Sequence, residues 1–238
     1  LAIAGVAVGV LVGLVDAAFG LGLNACTAIR TKYFWYLIWF LPLGGVFVWF
    51  IYHQFGKSVA NGMKMVFHVG LGKNNKLPIR MVPLAVIGTW TTHLFGGSAG
   101  REGVAVQIGA AVSNNVGRLV DKTIDIENSR KMFLITGMAA GFSGLFCTPL
   151  AAIFFALEVL VAGKLEYHAL IPATVASISA AFTSRALGLR KFHINILETL
   201  NYHPSTYNAV FLLKLAAMGL CFGIVGSLFA LILRYLRL

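Results

Sequence analysis

The chain has 238 residues, 58% of them apolar and only 11% charged, with a mean hydropathy of +0.83. A soluble domain carries about 25% charged residues, so this composition excludes a soluble globular protein and points to an integral membrane protein. The net charge of +11 does not mark a nucleic-acid binder, because the basic residues punctuate apolar segments (Arg30 and Lys32; Lys73, Lys76 and Arg80; Arg118 and Lys122) as headgroup-facing loops do.

Residues 1–29 form a long apolar run relieved by Gly5, Gly9, Gly13, Gly20 and Gly22, small residues of the kind that let membrane helices approach closely. Residues 34–52, "FWYLIWFLPLGGVFVWFIY", predict a second span rich in interfacial aromatics. The next apolar piece, "NGMKMVFHVGLG", is too short to cross a hydrocarbon core that takes roughly 20 residues. A span then runs from Pro78 to about Phe95, breaks at Gly96, Gly97 and Gly100, and gives way to a helical segment from Gly103 to Leu119. Beyond the polar stretch 117–131, segments 132–146, 149–163 and 169–187 follow, then a polar loop and a last segment from Tyr207 to Leu233. Charged loops stand on nearly every connection, so the positive-inside bias gives no orientation. The fold class is all-α and polytopic. Its irregularity is informative, because half-length segments and mid-span glycine breaks are the sign of discontinuous membrane helices. Irregular backbone at membrane depth is tolerated only inside protein or beside a polar cavity.

Two breaks carry chemistry. In "GGSAGREGVAVQIGAAV", residues 96–112, the glycines around Glu102 leave the first N–H groups of the following helix uncommitted. A helix start carries about half a positive charge together with those donors, and so attracts an anion. Glu102 is itself a tethered anion at that start: it fills the site when ionised and vacates it when protonated. The structural alternative is a capping glutamate paired with Arg101. A P-loop is excluded, because Arg101-Glu102 stands where lysine and a hydroxyl belong; a dinucleotide fold is excluded, because an apolar helix precedes the glycines instead of a strand. The second break, Asn61-Gly62, opens the short segment on the same logic, or is a plain turn between helices.

Other polar residues read as structural. Cys26, Cys147 and Cys221 sit in apolar runs without metal-ligand spacing. His53, His68 and His93 share no spacing and read as packed or interfacial, although His93 lies on the helix leading to the glycine break. Asp121, Asp125, Glu127 and Glu166 read as solvated loop charges, and "SNN" at 113–115 as polar helix packing, with an outer vestibule as the alternative. No nucleophile–base pair or metal cluster marks an enzyme, and no cofactor is implied.

The stretch "GREGVAVQIGAA" resembles the G-[KR]-E-G-P-x-[VT]-[HQ]-x-G-A signature of the CLC chloride channels and anion/proton antiporters. "GFSGLFCTPLAAIFFALEV" resembles that family's later A-x-F-x-A-P-L-A-G-x-L-F-x-x-E segment, and "ANGMKM" falls where the family carries G-S-G-I-P. The resemblance implies a fold of two inverted repeats with tilted and discontinuous helices, here the first repeat (1–188) and the start of the second (204–238). The family's G-x-F-x-P segment and pore tyrosine have no counterpart in the chain, so a second half is expected to complete the pathway. The resemblance makes Glu102 the gating and proton-transferring glutamate, lets the N–H groups of Gly103, Val104 and Ala105 help hold the anion, and sets Pro149 to Glu158 near a two-fold homodimer interface. Three departures bear on substrate. Val104 replaces the signature proline, the serine of G-S-G-I-P is absent with Met63 or Asn61 beside Gly62 in its place, and Val159 stands where chloride/proton antiporters carry an inner proton-transfer glutamate. The first two resemble the fluoride-exporting clade, and Met63 is the favoured equivalent of the serine. The implied function is fluoride export in exchange for protons across a cell membrane, a bacterial inner membrane in this reading, with chloride/proton antiport or passive chloride conduction as alternatives.

Overall fold

The computed structural model describes residues 2–73, 77–120, 129–161, 163–190 and 209–236. It divides into two units, Leu1–Phe192 and His193–Leu238. In the first unit α1 spans Ala2–Leu37, a 3-10 turn covers Ile38–Phe40, and α2 spans Leu41–Phe55. The helices α3 (Met63–Gly70), α4 (Met81–Leu94), α5 (Glu102–Val120), α6 (Ser129–Phe146), α7 (Pro149–Glu158) and α8 (Leu170–Ala186) follow. The second unit contains α9, Ala209–Leu236, a 28-residue apolar helix about 42 Å long. By length and composition two stretches, Ala2–Phe55 and Ala209–Leu236, suffice to cross a membrane. No strand occurs among the described residues, so the all-α expectation holds.

The expected break between the first two spans is smaller than the sequence implied. Arg30, Thr31 and Lys32 stay helical, and the only departure is a kink at Tyr33 (φ −119°, ψ 27°). Long cationic side chains are good helix formers, the Thr31 hydroxyl donates to the Thr27 carbonyl at 2.9 Å, and Arg30 Nη1 donates to the His93 carbonyl at 3.4 Å. The segment predicted over 149–163 is shorter than expected. It ends at Glu158, and Gly163 turns the chain with φ +77°.

In lipid the hydrophobic effect does not drive helices together, so close packing and interhelical bonds must. The sequence meets this with glycine. Side chains added at Gly5, Gly9 and Gly13 of α1 would run into the Pro172, Ala176 and Ala180 carbonyls of α8, the first and last at 2.9 and 2.8 Å. On α5 and α6 the approach is backbone to backbone: Gly109 lies against the Gly137 carbonyl, Gly137 against the Gly109 carbonyl, and Gly141 against the Ala105 carbonyl. The two helices are therefore antiparallel, with α6 buried along most of its length. The "SNN" reading as helix packing holds, since Ser113 donates to the Phe133 carbonyl, Asn114 accepts from the Leu77 N–H at 3.3 Å, and Asn115 donates to the Leu77 carbonyl at 3.0 Å. Glu166 departs from its expected role. It is half-buried in a 2.6 Å salt bridge with Lys131 of α6, which ties the α7–α8 connection to the core. Asp121, Asp125 and Glu127 lie outside the described residues.

The α5–α6 contact yields a testable outcome. Gly137→Val should lower the thermal unfolding midpoint in detergent sharply, since overpacking costs about 1–3 kcal/mol or more where only backbone can give. Gly45→Ala, where an added carbon meets nothing within 4 Å, should leave it unchanged.

Candidate functional site

The α4 helix delivers the chain to the break. Trp90 Nε1 donates to the Phe19 carbonyl at 3.0 Å, fixing α4 to α1. The helix then closes on Gly96 in the left-handed region (φ +84°), with the Gly97 N–H returned to the Thr92 carbonyl at 2.8 Å. This is glycine's usual role at a helix C-terminus. His93 belongs to the scaffold, its Nδ1 3.0 Å from the Thr89 carbonyl. The chain re-enters helical geometry at Glu102, the first residue of α5.

Glu102 is exposed, and its side chain folds back over the preceding turn, where a carbon added at Gly100 would sit 2.9 Å from Oε2. Among the described residues it forms no ion pair with Arg101, so the capping-pair alternative is not what the structure adopts. Arg101 contributes its carbonyl instead, which accepts the Ala105 N–H at 3.0 Å. That bond corrects one expectation. Ala105 is fully buried and its N–H is committed, so it has no donor to offer an anion. The N–H groups of Glu102, Gly103 and Val104 make no hydrogen bond to a described residue. The Val104 side chain packs inward against the cluster of Phe19, Leu23, Ala105, Ile108, Leu145 and Leu189.

The short helix α3 begins beside this start. Gly62, its N-cap, holds φ +47° and ψ −121°, a conformation that strains any residue with a Cβ. The turn is closed by the Lys64 N–H on the Asn61 carbonyl and the Met65 N–H on the Gly62 carbonyl, both at 3.0 Å, leaving the Met63 N–H without a described partner. A carbon added at Gly103 would lie 3.7 Å from Met63 Cγ, and one added at Gly62 would lie 3.4 Å from Gln107 Nε2. The starts of α3 and α5 therefore converge, with Met63 over Gly103 and the Gln107 amide over Gly62. Asn61 is exposed in the turn before them. Gln107 is half-buried and makes no hydrogen bond to a described residue. The sequence reading passed over it, although its place one turn beyond Gly103 on α5 was visible.

Glu158 lies exposed at the end of α7, its Oε1 3.4 Å from the Gly163 N–H, while Val159 packs against the apolar core. Among the described residues no group of three or more His, Cys, Asp or Glu is placed to hold a metal ion.

Residues 44–237 match the family described as voltage gated chloride channel. The chain is 38% identical over 230 residues to a "Chloride/fluoride channel protein" of Pseudomonas syringae pv. tomato, covering 97% of this chain and 49% of that one. It is 33% identical over 163 residues to an "H(+)/Cl(-) exchange transporter" of Salmonella paratyphi B, covering 65% of this chain and 32% of that one. A crystal structure of a CLC-type fluoride/proton antiporter superposes with a TM-score of 0.82 at 44% identity, over 94% of this chain and 54% of that one. A slow cyanobacterial Cl−/H+ antiporter shares the fold with a TM-score of 0.69 at 19% identity, over 94% of this chain and 54% of that one. The chain thus spans about half the length of the Pseudomonas relative and of both solved structures, and about a third of the Salmonella one.

Gly62→Ala should displace the start of α3, because alanine at that backbone conformation costs about 1–3 kcal/mol. The anion binding proposed below, measured by calorimetry with fluoride, should weaken by roughly tenfold or more, since about 1.4 kcal/mol is a factor of ten; Gly72→Ala, also at positive φ but on the far side of α3, should leave it intact.

Proposed function

Because the chain belongs to the voltage-gated chloride channel family, whose members are membrane proteins, we propose that it forms the anion-binding and gating half of a fluoride/proton antiporter. The observation that carries this reading is the convergence of two helix starts, α3 and α5, with Glu102 at the head of one and Met63 at the head of the other. The N–H groups of Met63, Gly103 and Val104 have no partner among the described residues, and in this reading they and the positive ends of two helix dipoles receive one anion. An anion and the Glu102 carboxylate compete for those donors. When Glu102 takes a proton its oxygens lose the charge the site attracts, the side chain withdraws, and the anion enters. When the proton leaves, the carboxylate returns and expels the anion. One side chain thereby ties anion movement to proton movement in opposite directions, which is antiport.

Fluoride is favoured over chloride by the 44% identity to a fluoride/proton antiporter and by the donor set. Met63 brings a thioether, which donates nothing. The Gln107 amide, 3.4 Å from the space above Gly62, brings two N–H donors, and a small hard anion gains most from strong, close donors. In this reading residues 1–188 form a first repeat and 204–238 open a second, and antiport needs the segments that the longer relatives carry as well. A homodimer would be built on the exposed apolar residues of α7 and α8, Leu150, Phe154, Ile171 and Phe182, and this reading has it sit in a bacterial inner membrane and use no cofactor.

A second reading, passive anion conduction, is favoured by the channel name of the Pseudomonas relative. Proteoliposomes loaded with fluoride decide between the two. Fluoride efflux should drive protons inward, and Glu102→Gln should abolish that proton movement. Proton movement that survives Glu102→Gln would overturn the gate assignment, and anion flux with no proton movement in the wild type would establish the channel. Gln107→Leu, which removes both donors without changing size much, should weaken fluoride binding by about 1–3 kcal/mol while leaving the unfolding midpoint within a few degrees.

A further inference from the structure

Between Ala2 and Ile29 the chain carries a single charged residue, Asp16. It lies on the glycine-lined stripe of α1, in step with Gly5, Gly9, Gly13 and Gly20, and is fully buried. Neither carboxyl oxygen has a hydrogen-bond partner among the described residues. Its neighbour on α6 is Gly144, and a carbon added there would lie 3.2 Å from both Cβ and Cγ of Asp16 and closer still to Oδ2. The missing side chain at Gly144 is thus a notch that the carboxyl fills.

A structural role does not account for this. A polar residue retained to join membrane helices earns its place by bonding across the interface, and Asp16 bonds to nothing described. The buried hydroxyls on the facing helices are committed elsewhere, Ser143 to the Ser177 carbonyl at 2.8 Å and Ser184 to the Ala181 carbonyl at 3.2 Å. Helices α4, α5, α6 and α8 pack against α1. Their titratable or charged residues are His93 on α4, Glu102 and Arg118 on α5, Arg130 and Lys131 on α6, and Arg185 on α8. None of these forms an ion pair with Asp16. A carboxylate buried without a partner costs several kcal/mol, and even a neutral polar group left unsatisfied costs about 1–3 kcal/mol. Asparagine or alanine would fit the same notch with less charge to bury. What a carboxyl offers in their place is a proton that can be taken up and released, the use to which ionisable residues inside membranes are put.

Depth adds a second, geometric argument. Gly141 of α6 meets the Ala105 carbonyl of α5, and the helices run antiparallel. Gly144 lies three residues beyond Gly141, and Glu102 three residues before Ala105. The notch that holds Asp16 and the start of α5 therefore occupy one layer of the bundle.

We propose that Asp16 is a proton-binding site that works together with Glu102 in the transport cycle. Its carboxylate oxygen forms an O–H bond with a proton surrendered by hydronium, and the bond breaks when the proton passes back to water; nothing is oxidised or reduced. The proposal rests on the antiport reading for its place in the cycle, but proton binding itself can be read independently. In the intact transporter, infrared difference spectra between about pH 4 and pH 9 should contain a carboxyl band that Asp16→Asn removes. In proteoliposomes the same variant should retain fluoride flux while the protons moved per fluoride fall sharply. A pH-difference spectrum identical in wild type and Asp16→Asn would overturn the site, and so would an unchanged proton-to-fluoride ratio in a wild type that couples the two. If the wild type moves no protons with fluoride, the antiport reading fails, while the infrared band still decides whether Asp16 binds a proton. Should Asp16→Asn not fold, Gly144→Ala, which keeps the carboxyl and presses on it, must shift the band; an unshifted band would overturn the proposal.

Discussion

A peptide N–H that no neighbouring carbonyl satisfies is the constraint on which the rest of this structure depends. Unbroken helices commit their backbone donors internally, which is why they cross membranes. Two of the breaks between helices, at 56–62 and at 95–101, bring uncommitted donors to one place: Met63 on one side, Glu102, Gly103 and Val104 on the other. Such donors are costly unless an acceptor visits them. The Glu102 carboxylate and a mobile anion are the two acceptors the arrangement suits, and their alternation is the function we read from it.

The surrounding packing keeps those donors where they are. Trp90 anchors α4 to α1, the Gly96 cap aims the chain at the α5 start, and α5 is held by backbone contact to α6. Arg101 takes part through its carbonyl, which occupies the Ala105 N–H and sets the limit of the uncommitted run. The charged pair that stands out in the sequence thus divides its labour. Glu102 faces the open space, and Arg101 shapes the backbone that Glu102 stands on.

Much of this was legible in the sequence because it rests on local patterns. Apolar run lengths placed α4, α5, α6 and α8 within a few residues, and the clusters at Gly62 and Gly96 to Gly100 located both breaks. What was not legible depends on tertiary partners. The continuation of α1 through Arg30 to Leu37 carries a tertiary bond, since His93, 63 residues away, accepts from Arg30. Glu166 looked like a loop charge because Lys131 lies 35 residues distant. Ala105 looked available because a signature cannot show which N–H groups a neighbouring carbonyl has already taken. Asp16 was concealed differently: one acid in an apolar run signals nothing until its neighbours on α6 and α8 are known to offer it no bond. Its signal in the sequence was there nonetheless, in a charge kept in register with a glycine stripe.

The backbone contact of α5 with α6 has a consequence for time. Where two glycine carbonyls already press on the opposing chain, α5 has no slack in which to tilt or slide, and motions of whole helices belong to microseconds or longer. Side chains such as Glu102, exposed and attached to a fixed helix start, change rotamer in picoseconds to nanoseconds. On the antiport reading proposed for Glu102, the gate is the fast element of the molecule, and its pace is set by how often a proton arrives and not by how readily the scaffold yields.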